Sequence, residues 1–236
     1  MKKILWTIQD KAAFEVFQKT GVLRADPNHL IFDGEFQDAY DWMVAQMHQR
    51  IGPAPARVQY PVWAWYQWEG KRKRMDLRRS GYAKRGTPLV QITFEADPQE
   101  FLLSDFDAWH FVQSEEYLAD SESDWNDFYA NDGDQRKDEI IASWDKIFDM
   151  DHDVLNWDSK PTYRSIQATL WKSACRRLSK LSISLRSNSS PGSAEEPGLD
   201  HIFDHRQNSN TRKQRGGEFR KARTFGVNTA MRIQKG

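Results

Sequence analysis

The chain has 236 residues with 34 Lys+Arg against 34 Asp+Glu, yet the zero net charge hides a division. Residues 1–171 hold 20 basic against 29 acidic side chains, a balance of −9, and residues 172–236 hold 14 against 5, a balance of +9. No apolar run approaches the roughly 18 residues that cross a bilayer, and the single cysteine, Cys175, can close no internal disulfide, so the composition excludes a membrane span and a disulfide scaffold and fits a reducing, cytoplasmic setting.

"MKKILWTIQDKAAF" begins with basic residues, but its apolar stretch is too short for a signal peptide. Ile4 to Gln9 reads as a strand, and Asp10 is suited to cap a helix through "KAAFEVFQKT" that Gly21 ends. A second helix is predicted over 35–51, where Phe36, Ala39, Tyr40, Met43, Val44, Met47 and Ile51 recur at three- and four-residue spacing before Gly52 and Pro53. Val58 to Trp68 reads as a strand. Its "WAWYQW" places Trp63 and Trp65 on one face and Ala64, Tyr66 and Trp68 on the other. The basic segment 69–87 reads as a long loop carrying eight Lys+Arg between 71 and 85. It leads to a strand at 88–96, in which Val90, Ile92 and Phe94 alternate with Gln91, Thr93 and Glu95.

After the Asp97-Pro98 turn come a brief strand "EFLL" and a helix "SDFDAWHFVQSEEYL". Residues 119–139 are acidic and poor in aliphatic side chains, and read as a solvated excursion with one aromatic cluster, Trp125, Phe128 and Tyr129. A helix over about 135–148 and a last strand over 165–171 complete the pattern. The likeness of "TIQ" at 7–9 to "SIQ" at 165–167 suggests that the first and last strands pair. From Lys172 the periodicity dissolves into a Ser-, Gly- and Arg-rich tail. Its apolar side chains are too few to offset the chain entropy, so it is expected to be disordered, or at most a helix over 172–186. The change at one residue is abrupt enough to suggest an out-of-frame product.

No hydrolase elbow, phosphate-binding glycine loop, dinucleotide motif or zinc-binding His/Cys set is present, and the sequence points to no particular cofactor. "DMDHD" at 149–153 spaces acids like a calcium loop but fails at Val154 and Lys160. Ser104 and Asp107 have helix-start spacing. Asp105, Asp107 and His110 are alternatively a catalytic carboxylate pair with a proton carrier one turn on. Gln113 and Glu115 match a loose Gln-x-Glu of ADP-ribosyltransferases inside the predicted helix. In the basic loop, Arg74, Arg78 and Arg79 suit phosphate, and Trp65 and Tyr66 suit stacking on a base.

The phrases "LWTIQ", "TGVLRAD", "FQDAYDWMVAQMHQRIG", "YPVWAWYQWEGKRKRMDLR", "LLSDFDAWHFV", "SWDKIFD" and "SIQATLW" together resemble a bacterial family of domains of unknown function, number 3841, over residues 3–171. The resemblance implies a domain boundary and no activity. Family members continue after "SIQAT.W" with charged residues and a final apolar strand, from which "KSACRRLSKLSISLRSNSSPG" departs. The expected fold is one α+β or α/β domain over 1–171, with a mixed sheet of about five strands and three to four helices, followed by the tail. Two functions are expected of it. One is a nucleotide-binding enzyme, loosely similar to ADP-ribosyltransferases in its strand, helix and glycine opening. The other is a non-catalytic module that binds a nucleotide or nucleic acid through the basic loop, with the tail as a second basic element.

Overall fold

The computed structural model describes residues 1–25, 36–76, 88–151, 164–174 and 180–182. The chain opens with β1 (Lys3–Asp10), whose last six side chains are all buried. The Asp10 side chain then accepts from Ala13 N at 2.7 Å and starts α1 (Lys11–Thr20). Gly21, at φ 69°, ends the helix by donating its N–H to Phe17 O, as its left-handed freedom allows. The short β2 (Val22–Leu23) follows, and then α2 (Gln37–Ile51) buries Ala39, Met43 and Met47 along the predicted stripe.

Next come β3 (Val62–Gln67), β4 (Leu89–Ala96) and β5 (Phe101–Asp105), the last entered through a 3-10 turn at Pro98–Glu100 that Asp97 and Glu100 close with a capping box. β5 leads directly into α3 (Phe106–Gln113). The acidic stretch expected to be an excursion holds α4 (Glu122–Ala130), capped by Ser121, with only Phe128 fully buried. Polar composition hid this helix because one aromatic anchor suffices to seat it. The helix expected over 135–148 is α5 (Lys137–Ser143) continued as a 3-10 turn through Phe148.

β6 (Ile166–Leu170) is followed by two short strands beyond Trp171, β7 (Ser173–Ala174) and β8 (Lys180–Ser182). β7 pairs with β2, and β8 lines the edge of β4, so the described chain between 172 and 182 forms strands where a helix was the expected alternative to disorder. The remainder of the tail lies outside the described residues.

The main sheet runs β5-β6-β3-β1-β4-β8, with β2-β7 as a separate pair. The α+β class is that expected. Every pairing among the described residues is antiparallel, however, where a mixed sheet was expected. β1 and β6 do not pair. Each instead flanks β3, the aromatic strand, which therefore lies inside the sheet.

Both faces are covered. Phe14 and Phe17 of α1 pack with Leu5, Val90, Ile92 and Phe94 on one side, while α2, α3, α4 and α5 pack around Trp63, Trp109, Trp144 and Trp171 on the other. A third cluster joins Trp6, Ile8, Trp65, Met75, Leu89 and Phe106. No helix among the described residues is long and apolar enough to cross a membrane.

Candidate ligand-binding site

The basic segment begins as a tight turn. Trp68 and Lys71 exchange backbone hydrogen bonds of 2.9 and 3.0 Å, and the two residues between them, Glu69 at φ 48° and Gly70 at φ 73°, both have left-handed backbone. A two-residue connection with both φ positive matches the twist of flanking strands, and glycine is the residue that adopts it without steric cost. The turn is held from below: Gly70 N donates to Arg164 O at 2.9 Å and Glu69 N to Ser165 Oγ at 3.1 Å.

Beyond it, Lys71, Arg72, Lys73 and Arg74 are all exposed. Arg72 donates to Ile4 O at 2.6 Å while its guanidinium lies 3.7 Å from the centre of the Tyr66 ring and 5.0 Å from that of Trp6. Partial burial pulls the Arg72 guanidinium below its ordinary value, opposed by the Tyr66 phenol. Lys73 pairs with Glu69 at 2.9 Å. Met75 then turns inward and is buried, its carbonyl accepting from Gln91 Nε2 at 3.1 Å.

The aromatic strand supplies less surface than its composition suggests. Trp65 is 0% exposed, enclosed by Trp68 and Phe106 with ring centres 4.6 and 4.9 Å away, so its ring packs in the core and presents no face for stacking. A bulge between Trp65 and Gln67 shifts the register by one residue. In consequence Trp68 packs with the Trp65 cluster, not on the opposite face as strict alternation predicts. Tyr66 packs against the other cluster, half-buried, with Arg72 over it. Arg74 lies on the exposed segment, and Arg78 and Arg79 lie outside the described residues.

The helix-start reading of "LLSDFDAWH" moves by one residue. Asp105, not Ser104, caps α3: its Oδ1 accepts from Asp107 N at 2.8 Å and Ala108 N at 3.0 Å. Its Oδ2 accepts from Arg164 Nε at 2.5 Å in an ion pair whose side chains are 5% and 2% exposed. Arg164 also donates to the carbonyls of Met150 and Asp149. Asp105 is thus engaged on both oxygens in a structural tie. Asp107 is half-buried on the first turn of α3, and His110 sits one turn on, its Nδ1 3.3 Å from Asp107 O and its ring against Phe106. "DMDHD" lies partly outside the described residues.

Sequence reasoning missed Arg164, which joins the carboxylate end of β5 to the basic turn by pairing with Asp105 through its side chain and with Gly70 through its carbonyl. It also missed the polar groups buried on the sheet. Thr93 and Gln167 look like the solvent half of an alternating strand, but helices and the basic segment cover that face as well. A sheet covered on both sides was the available signal, since aromatic residues on both faces of β3 already required it.

The fold and this arrangement define an α+β protein whose charged surface turn is rooted on a buried polar sheet. Residues 4–175 match the family described as a domain of unknown function (DUF3841), and the chain belongs to that family. No curated protein and no solved structure matches it.

Proposed function

We propose that the protein is a binding module for a nucleotide or single-stranded nucleic acid, acting through the basic turn that follows β3 and not as a catalyst. One observation carries this reading. Lys71–Arg74 are four consecutive exposed cations on a turn held by Ile4, Arg164 and Ser165, in a region whose remaining charge is largely acidic. Cations fixed by backbone anchors lose little freedom when they meet phosphate oxygens, and the Tyr66–Arg72 stack adds a flat, polarisable surface beside them. Of the carboxylates expected to serve an ADP-ribosyltransferase-type reaction, Asp105 is withdrawn, both its oxygens being committed to α3 and Arg164, which leaves Asp107 without the paired carboxylate that the catalytic reading gave it. The binding reading therefore takes precedence. Its setting is the cytoplasm, which suits a chain whose one cysteine can form no internal disulfide.

Fluorescence anisotropy with a labelled single-stranded oligonucleotide, competed by ATP, tests the proposal. Affinity is expected to fall with salt with a slope of about 0.7 per phosphate neutralised. The double substitution Lys71→Glu, Arg74→Glu should weaken binding by about tenfold or more while leaving the melting temperature unchanged. Absence of binding by the unaltered protein at low salt would overturn the reading.

A further inference from the structure

Nine tryptophans lie among the described residues, and eight of them pack in or against the three core clusters. Trp125 is the exception. It stands on α4, half-buried, with the rings of Tyr129 at 4.5 Å and Phe111 at 6.3 Å as its aromatic neighbours. Those two rings are half-buried as well, so the three make an apolar strip at the surface. The fold does not need Trp125 to seat the helix, because Phe128 is the buried anchor of α4. A tryptophan left outside the core is a residue of the type that most often anchors a partner.

The strip is bordered by uncompensated charge. Glu122 lies one turn before Trp125 on the same side of α4, and Glu116 donates its N–H to the Phe111 carbonyl at 2.9 Å. Glu115, Glu116, Glu122 and Asp127 are exposed, and among the described residues none of the four has an ion-pair partner. Residues 115–139 hold ten acidic against two basic side chains, a balance of −8, which is nearly the whole excess of residues 1–171. A partner that settles here has to be cationic and has to lie flat on an indole. Arginine and lysine do both.

Such a segment exists in the chain itself. Residues 205–236, outside the described residues, hold nine basic against one acidic side chain, a balance of +8. Six of the nine fall in "TRKQRGGEFRKAR" at 211–223. The 22 residues 183–204 tether this segment to β8. Extended, they reach roughly 70 Å, against a radius of gyration of about 15 Å for a domain of this size, so no point on the surface is out of range. A tethered segment meets its site at an effective concentration on the order of millimolar, at which contacts too weak to hold a free peptide suffice.

We propose that the Phe111–Trp125–Tyr129 face of α4 is the docking site of the chain's own basic segment 205–236, with a cation of 211–223 over Trp125 and the neighbouring cations paired with the flanking carboxylates. The inference stands apart from the basic turn and its ligand. It joins the acidic and basic halves of the sequence to each other, and it makes α4 a competitor for the tail that any polyanion has to displace.

Paramagnetic relaxation in the full chain tests this. A nitroxide at Gly216→Cys, with Cys175→Ser removing the native thiol, is expected to attenuate the Trp125 indole N–H signal, identified by its absence from Trp125→Phe. The loss should be about half or more at roughly 0.02 M salt and should vanish at about 0.5 M, as the screening length falls from roughly 20 to about 4 Å. The combined substitution Glu115→Lys, Glu122→Gln, Asp127→Lys should cut the attenuation about twofold or more with the α4 amide signals otherwise in place, since all three side chains are exposed. Trp125→Ala should weaken the attenuation of the remaining α4 amides.

An α4 that shows no attenuation at low salt overturns the inference, and so does attenuation indifferent to the three charge changes. Equal attenuation in a mixture of nitroxide-bearing chains with isotope-labelled chains that carry none places the segment on a second copy and overturns the tethered site.

Discussion

Asp105 accepts three hydrogen bonds while 1% exposed, and its partner Arg164 directs its other donors to two backbone carbonyls. Removing one member leaves the other charge buried without compensation, so Arg164→Leu and Asp105→Asn are each expected to cost about 3–5 kcal/mol in urea unfolding. The double variant should cost clearly less than their sum, and additivity would show that the pair does not act as a unit. Tyr40 makes a different prediction. Packed edge-on between Trp63 and Trp109, its phenol is pushed by burial well above its ordinary value. The folded protein then keeps that proton where the unfolded chain has lost it. This contribution to stability is full below about pH 10 and falls as pH rises further. Stability measured between pH 8 and 11 should therefore decline less steeply in Tyr40→Phe. At this scale the helix start within "SDFDAW" was legible from the Ser104–Asp107 spacing, but the capping side chain is Asp105 and not Ser104. Arg164 was not legible, because 59 residues separate it from its partner.

At the scale of elements, local signals did most where a cap and a stripe coincide. Asp10 caps α1, Gly21 ends it and Phe14 and Phe17 bury its face, all as the residues indicate. Asp10→Ala should cost about 1 kcal/mol and lower the melting temperature by roughly 2–4 °C, measured by circular dichroism. α4 shows the opposite case. Ser121 caps it and Tyr117 stacks on Phe128 at 3.8 Å, but three acids in nine residues masked a helix that a tertiary ring contact seats. β3 shows a third. Its strand character follows from its aromatic and β-branched residues, yet the bulge after Trp65 reassigns Trp68 to the other face, and nothing in the string "WAWYQW" marks where an extra residue enters the ladder.

For the molecule as a whole, β8 protects the edge of β4 although it lies beyond the point where the sequence pattern dissolves. A chain ended after Trp171 should melt a few degrees lower and self-associate on size-exclusion chromatography, compared with one ended after Ser182, because an unpaired edge invites pairing with another copy. Identical behaviour of the two would show that the edge needs no cover. The sequence by itself determined the α+β class, the helices that carry a 3.6-residue stripe, the reach of the family match over most of the chain and the site of the basic turn. These depend on neighbours within one or two turns of chain. Only the tertiary structure decided that β3 lies inside the sheet, that Asp105 belongs to Arg164, and that Ser104, Gln167 and Trp65 stand side by side across three strands. Cross-strand register is set by which strands lie side by side, and residues from 65 to 167 become neighbours there without any periodicity to announce it.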